Sequence, residues 1–62
     1  MQTAFVTAKS RKAKNRLANL MANENEVIVE QLKDGQAFVT SANRKYHFWV
    51  NLTSDNDWEI EL

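Results

Sequence analysis

The chain has 62 residues, with no cysteine, no proline and a single glycine. Without cysteine it can form neither disulfides nor thiolate metal sites, so a domain close to the lower size limit must hold together by packing alone. The same absence suits a reducing compartment. Without proline, turns fall to Gly35, which takes positive φ at no steric cost, and to asparagine and aspartate. The only histidine, His47, has no cysteine or carboxylate pair beside it in the chain and makes neither a metal site nor a proton shuttle. No apolar run approaches the roughly 20 residues of a membrane helix. Gln2-Thr3-Ala4-Phe5 lacks the charged and apolar segments of a secretory leader, so a cytoplasmic protein with no membrane partner is expected. The Asn51-Leu52-Thr53 sequon then carries no meaning.

Acids are missing from one region only. Residues 1 to 22 carry Lys9, Arg11, Lys12, Lys14 and Arg16 and no acid, which is +5. The remainder carries Lys33, Arg44 and Lys45 against Glu24, Glu26, Glu30, Asp34, Asp55, Asp57, Glu59 and Glu61, which is 3 − 8 = −5, so the net charge of zero conceals a division. Such asymmetry points to nucleic acid, to an acidic or host protein surface, or to copies of the chain pairing basic helix to acidic edge.

The basic stretch from Lys9 to Met21 reads as one amphipathic helix. Ala13, Leu17, Leu20 and Met21 fall at i, i+4, i+7 and i+8 and form its core stripe. Thr7 or Ser10 offers the cap, but neither is followed three residues later by Glu or Gln, so no capping box forms. Asn23 and Asn25 tolerate the left-handed conformation that ends helices, which places the stop near Ala22 or Asn23. Cations crowd the end where the helix dipole favours anions. Either they lie in water, or something anionic belongs there.

Strands are expected at 3–8, 26–32, 37–41, 45–52 and 58–62. Lys33-Asp34-Gly35-Gln36 is a hairpin signal. A two-residue turn there sets Val29 opposite Thr40, whereas a turn with a bulge at Gly35 sets Val29 opposite Val39, and the apolar pair favours the second. Ser41-Ala42-Asn43-Arg44 turns next, with Asn43 as the expected left-handed residue. Tyr46, Phe48, Val50 and Leu52 alternate with Lys45, His47, Trp49 and Asn51, and Trp58, Ile60 and Leu62 alternate with Glu59 and Glu61.

The expected fold is therefore a single α+β domain spanning 1–62. One N-terminal amphipathic helix packs on a four- to five-stranded, mainly antiparallel sheet in the order β-α-β-β-β-β, with sequential strands paired as a meander. A small SH3-like barrel with an N-terminal helix is the alternative. Leu17, Leu20 and Met21 should cover Tyr46, Phe48, Val50, Trp58 and Ile60, with Val27, Val29 and Val39 beside them. The opposite face would carry Ile28, Leu32, Phe38 and Trp49, enough apolar surface to imply a homodimer or another covering partner.

Two sets of residues follow as candidate sites. Lys9, Ser10, Arg11, Lys12, Asn15 and Arg16 have the charge and donors to hold phosphate. Lys45 and Trp49 pair a cation with a flat ring, as single-stranded nucleic-acid platforms do. Ile28, Leu32, Phe38 and Trp49 are the candidate interface. Asp55-Asn56-Asp57 lacks the glycine and closing glutamate of a calcium loop and reads as a solvated turn. Ser10, Ser41 and Ser54 show no catalytic spacing to His47 and an acid, so a non-enzymatic binding module without cofactor is expected, with a protein-interaction or assembly module as the alternative.

Two segments, Thr7-Ala8-Lys9-Ser10-Arg11-Lys12-Ala13-Lys14-Asn15-Arg16-Leu17 and Asn43-Arg44-Lys45-Tyr46-His47-Phe48-Trp49-Val50, give the chain a further likeness. It resembles small uncharacterised proteins of marine cyanobacterial viruses. The resemblance implies a viral accessory protein in the host cytoplasm that binds nucleic acid or a host protein, and it carries over no functional residue.

Overall fold

Strands form where small apolar residues alternate with polar ones, and the helix forms where the apolar period lengthens to 3.6. In the computed structural model, which describes residues 2–62, these are β1 (Gln2–Ala8), α1 (Arg11–Asn19), β2 (Glu26–Lys33), β3 (Gln36–Ser41), β4 (His47–Asn51) and β5 (Trp58–Glu61). The five strands make one antiparallel sheet in the order β4-β3-β2-β1-β5. The expected meander thus holds from β1 to β4 only. The last strand returns to the far side of the sheet, where Val6 pairs with Ile60 and Ala8 with Trp58.

One face of the sheet is buried. Ala4, Val6, Val27, Val29, Ala37, Val39, Val50 and Trp58 form the core together with Ala13 and Met21. Most of these are valine or alanine, small enough for the sheet to curl tightly over them. The curl brings the two edge strands together as a half-barrel, and Phe48 of β4 stacks on Trp58 of β5 with ring centroids 4.8 Å apart. Tyr46 continues the stack, 5.0 Å from Phe48.

The helix does not lie over the centre of β4 and β5. It spans from the β4–β5 loop to the β3–β4 turn: Ser10 Oγ donates to Asp57 Oδ1 (2.7 Å), and at the other end Asn43 Nδ2 donates to the Leu20 carbonyl (3.0 Å). Ala13 and Met21 are fully buried and Leu17 packs against the core, but Leu20, expected in the stripe, is 43% exposed. The reason is the way the helix stops. Leu20 is its C-cap, and Ala22 and Asn23 then take φ of 52° and 62°, so that Asn23 N–H reaches back to the Leu17 carbonyl (2.8 Å) and Met21 goes inward instead.

The hairpin resolves its two alternatives by using both. Asp34 and Gly35 have φ of 53° and 75°, so the turn has two residues, both left-handed, with Lys33 opposite Gln36. The bulge lies further down, at Glu30 between Val29 and Gln31, and it restores the Val29–Val39 pair. It also reverses the alternation beyond it. Leu32 therefore pairs with buried Ala37 on the inner side, at the rim, and remains 51% exposed. The placement of Leu32 with Ile28, Phe38 and Trp49 is corrected accordingly. At the next turn Arg44, not Asn43, is left-handed (φ 61°). The Asn43 side chain is occupied instead, its Oδ1 accepting from Ser41 Oγ (2.6 Å) and Lys45 N–H (3.0 Å).

Three substitutions test this packing. Trp58→Ala, which removes a side chain 4% exposed at the seam, should cost about 3–5 kcal/mol in urea unfolding and leave little of so small a domain folded. Trp49→Ala removes a ring that packs on Phe38 but is 45% exposed, and should cost less, about 1–2 kcal/mol. Ala22→Gly relieves a left-handed alanine and should raise stability by up to about 1 kcal/mol, read as a higher urea midpoint at unchanged slope.

Candidate functional site

The start of the basic helix is where sequence and structure meet. No acid occupies its first turn. Ser10 is the N-cap, its Oγ accepting from Ala13 N–H (3.0 Å), and the same hydroxyl donates to the Asp57 carboxylate. Lys9 N–H donates to the Asp57 carbonyl (2.7 Å) and Lys9 Nζ to the Asp55 carbonyl (2.8 Å). The negative charge that the helix dipole calls for thus comes from a loop at the other end of the chain.

That loop is organised by Asp55. Its Oδ1 accepts from the N–H groups of Asp57 (2.8 Å) and Trp58 (2.9 Å), and its Oδ2 from Asn51 N–H (3.0 Å). Burial alone would raise the Asp55 pKa, but the donors of Asn51, Asp57 and Trp58 and the charge of Lys9 outweigh it and hold the carboxyl below its ordinary 3.8. The segment read as a solvated turn is a latch that fastens helix, β4 and β5 to one another.

The candidate anion-binding residues divide into two groups. Lys9, Ser10 and Arg16 are engaged within the fold. The Arg16 guanidinium donates to Tyr46 Oη (2.9 Å) and lies 5.9 Å from the centre of that ring. Arg11, Lys12 and Asn15 are exposed, as are Lys14 and Asn19 on the same helix. Lys45 is exposed just before β4, next to the tyrosine that holds Arg16. Trp49 is not on the helix side at all but on the outer sheet face.

On that outer face the ladder register sets Phe38 between Gln31 and Trp49, and Thr40 between Ile28 and His47. The Phe38 and Trp49 ring centres are 5.1 Å apart and the Phe38 and His47 rings are nearly parallel at 6.1 Å. Thr40, 2% exposed, holds His47 Nδ1 through its hydroxyl (3.0 Å). Of the four candidate interface residues, Ile28, Phe38 and Trp49 share the outer face, with the two rings in contact, and Leu32 does not join them. His47 joins them, and its alternation with Trp49 in β4 already marked it. Phe5, 50% exposed between Glu26 and Glu61, also faces outward and was legible in the same way from β1.

Among the described residues no cluster of His, Cys, Asp and Glu is placed to hold a metal ion, and no helix is long and apolar enough to cross a membrane. An open cleft beside Lys9, Asn51 and Trp58 holds about 160 Å³. That is smaller than the roughly 300–1,000 Å³ of small-molecule sites. No family model, curated protein or solved structure matches the chain.

The depressed carboxyl of Asp55 gives stability a pH dependence of known sign. The unfolded chain binds a proton near pH 3.8 and the folded one only at lower pH, so this contribution is present in full above that range and is lost as the pH falls through the folded value. Asp55→Asn should lower the thermal midpoint at pH 7 and flatten its decline between about pH 5 and pH 2, as followed by circular dichroism.

Proposed function

We propose that this chain is a small non-enzymatic binding module that holds nucleic acid by its phosphate backbone, through the exposed cations of α1. The observation that carries the reading is the division of labour within one helix. Asp57 answers its N-terminus, and Lys9 and Arg16 are spent on loop and tyrosine, yet Arg11, Lys12 and Lys14 stand in solvent with no role in the packing. Cations spread over the exposed arc of a helix gain affinity from the release of counterions around phosphates. The short helix runs beside the curled sheet without entering its centre, which leaves its outer arc open to a ligand. Strand order β4-β3-β2-β1-β5 with a stacked seam between the edges supports the SH3-like form of the fold over an open sheet. The modest cleft and the engaged hydroxyl of Ser10 support binding over catalysis.

Fluorescence anisotropy with labelled oligonucleotides, at about 50 and 200 mM salt, tests this. Three cations on phosphates give a slope of log affinity against log salt of about −2 to −3. The Arg11→Glu, Lys12→Glu double variant should lose tenfold or more in affinity, an effect of about 1.4 kcal/mol or greater. Binding indifferent to both salt and charge reversal overturns the reading. A mass that rises with protein concentration and no oligonucleotide binding would favour the assembly module instead.

A further inference from the structure

We infer that the rings of Phe38, His47 and Trp49 are a stacking platform for unpaired bases, so that the nucleic acid taken by this domain is single-stranded. The inference rests on the nucleic-acid reading above and adds a second site to it. Three observations carry it.

The first is the rings' geometry. Phe38, half-buried, supports both neighbours, and it leaves Trp49 45% exposed and His47 exposed. His47 is fixed by Thr40 on its Nδ1 side, so its ring is held on the surface rather than folded away. His47 and Trp49 are two residues apart on one strand, about 7 Å along it, a step that a stretched nucleotide strand can match.

The second is the chemistry around the rings. The ladder positions next to them on this face are Gln31, Lys33, Gln36, Asn51, Ile28 and Thr40, with Lys45 just before His47. None is an acid, whereas Glu26, Glu59 and Glu61 occupy the β1–β5 side of the same face. Glu30, the extra residue of the bulge, is exposed between Ile28 and Gln31 and borders the aromatic rows, whereas Asp34 stands off at the hairpin tip. Amides and ammonium groups around flat rings suit base edges and phosphates.

The third is continuity with the basic helix. The Arg16–Tyr46 hydrogen bond places α1 beside the start of β4, one residue from Lys45 and the same distance from His47. Tyr46 faces the core side, where α1 lies, and His47 and Trp49 face outward, so a path from the helix cations to the rings passes over Lys45 and round the start of β4.

The test uses the full chain, a labelled oligothymidine, and a duplex of equal length. Trp58 is buried and Trp49 exposed, so stacking should quench the Trp49 part of the emission as anisotropy rises, while Trp49→Phe shows unquenched Trp58 alone. Trp49→Ala should weaken oligothymidine binding about fivefold or more, with Trp49→Phe retaining most of it, and should leave duplex binding unchanged. If anisotropy reports binding while tryptophan emission stays constant and Trp49→Ala binds as tightly, the platform is wrong and the helix reading stands. If binding needs Trp49 but ignores Arg11→Glu with Lys12→Glu, the platform stands and the helix reading is wrong. Duplex bound as tightly as oligothymidine overturns the platform. So does Trp49 emission that changes with protein concentration alone, which would assign this face to a second copy. Absence of binding to either probe overturns both.

Discussion

Everything in this fold depends on one seam that has no backbone hydrogen bonds of its own. β4 and β5 are the two ends of the sheet, and they are joined by the contact of Phe48 with Trp58 and by the Asp55 carboxylate, which accepts from Asn51 N–H of one and Trp58 N–H of the other. Stacked rings are worth about 0.5–1.5 kcal/mol beyond their buried area, a large share of the stability of a domain this size. The seam also explains the composition of the core. Valine and alanine on the inner faces of β1 to β3 let the sheet curl far enough for its edges to meet, and bulk is kept for Met21 and the edge aromatics. Larger residues on the central strands would hold the sheet open and part the rings.

The helix is fitted to that geometry by its ends and not by a long apolar stripe. Asp57 and Asp55 hold one end, Asn43 and Tyr46 the other, and only Ala13, Leu17 and Met21 enter the core. This explains how a helix with five nearby cations and no acid of its own is stable. The electrostatic complement is supplied in three dimensions, by a loop whose two aspartates are held by backbone donors and by Ser10. Because that demand is met internally, the remaining cations are not needed to balance the fold, and their cost at the helix start remains small in water.

Much of this was legible in the chain, and the failures share a cause. The order and kind of the elements, Ser10 as one of two cap candidates, the inward alternation of Val50 and Trp58, and the exposure of Trp49 all follow from local patterns, whereas the helix, expected to stop near Ala22 or Asn23, ends at Asn19. The return of β5 to β1, the position of Leu20 and the role of Asp57 depend on contacts between residues far apart in sequence, which periodicity does not register. Leu32 is the instructive case. Its apolar side chain and its spacing from Ile28 put it on the outer face, but a single bulge at Glu30 changes the parity of everything after it. The Val29–Val39 pairing was legible because it is an energetic preference. Where the extra residue would be inserted was not, because Asp34-Gly35 accepts a two-residue turn without help.

The parity change has a functional side. A β2 strand without the bulge would keep Leu32 in the same face as Ile28 and Phe38 and would turn Gln31 and Lys33 inward. With it, Leu32 goes to the rim, and Gln31 and Lys33 join the aromatic rows. The outer face near β4 is thereby less greasy and more polar than the sequence pattern implies, which weakens the case for a covering apolar partner and strengthens the case for a charged, ring-bearing one. Arg16 ties the two surfaces together. Its bond to Tyr46 serves packing, but it also fixes the basic helix at the edge strand that carries His47 and Trp49. Under the nucleic-acid reading proposed above, a strand held by the helix would reach the rings by passing round the start of β4, from the core side that Tyr46 faces to the outer side.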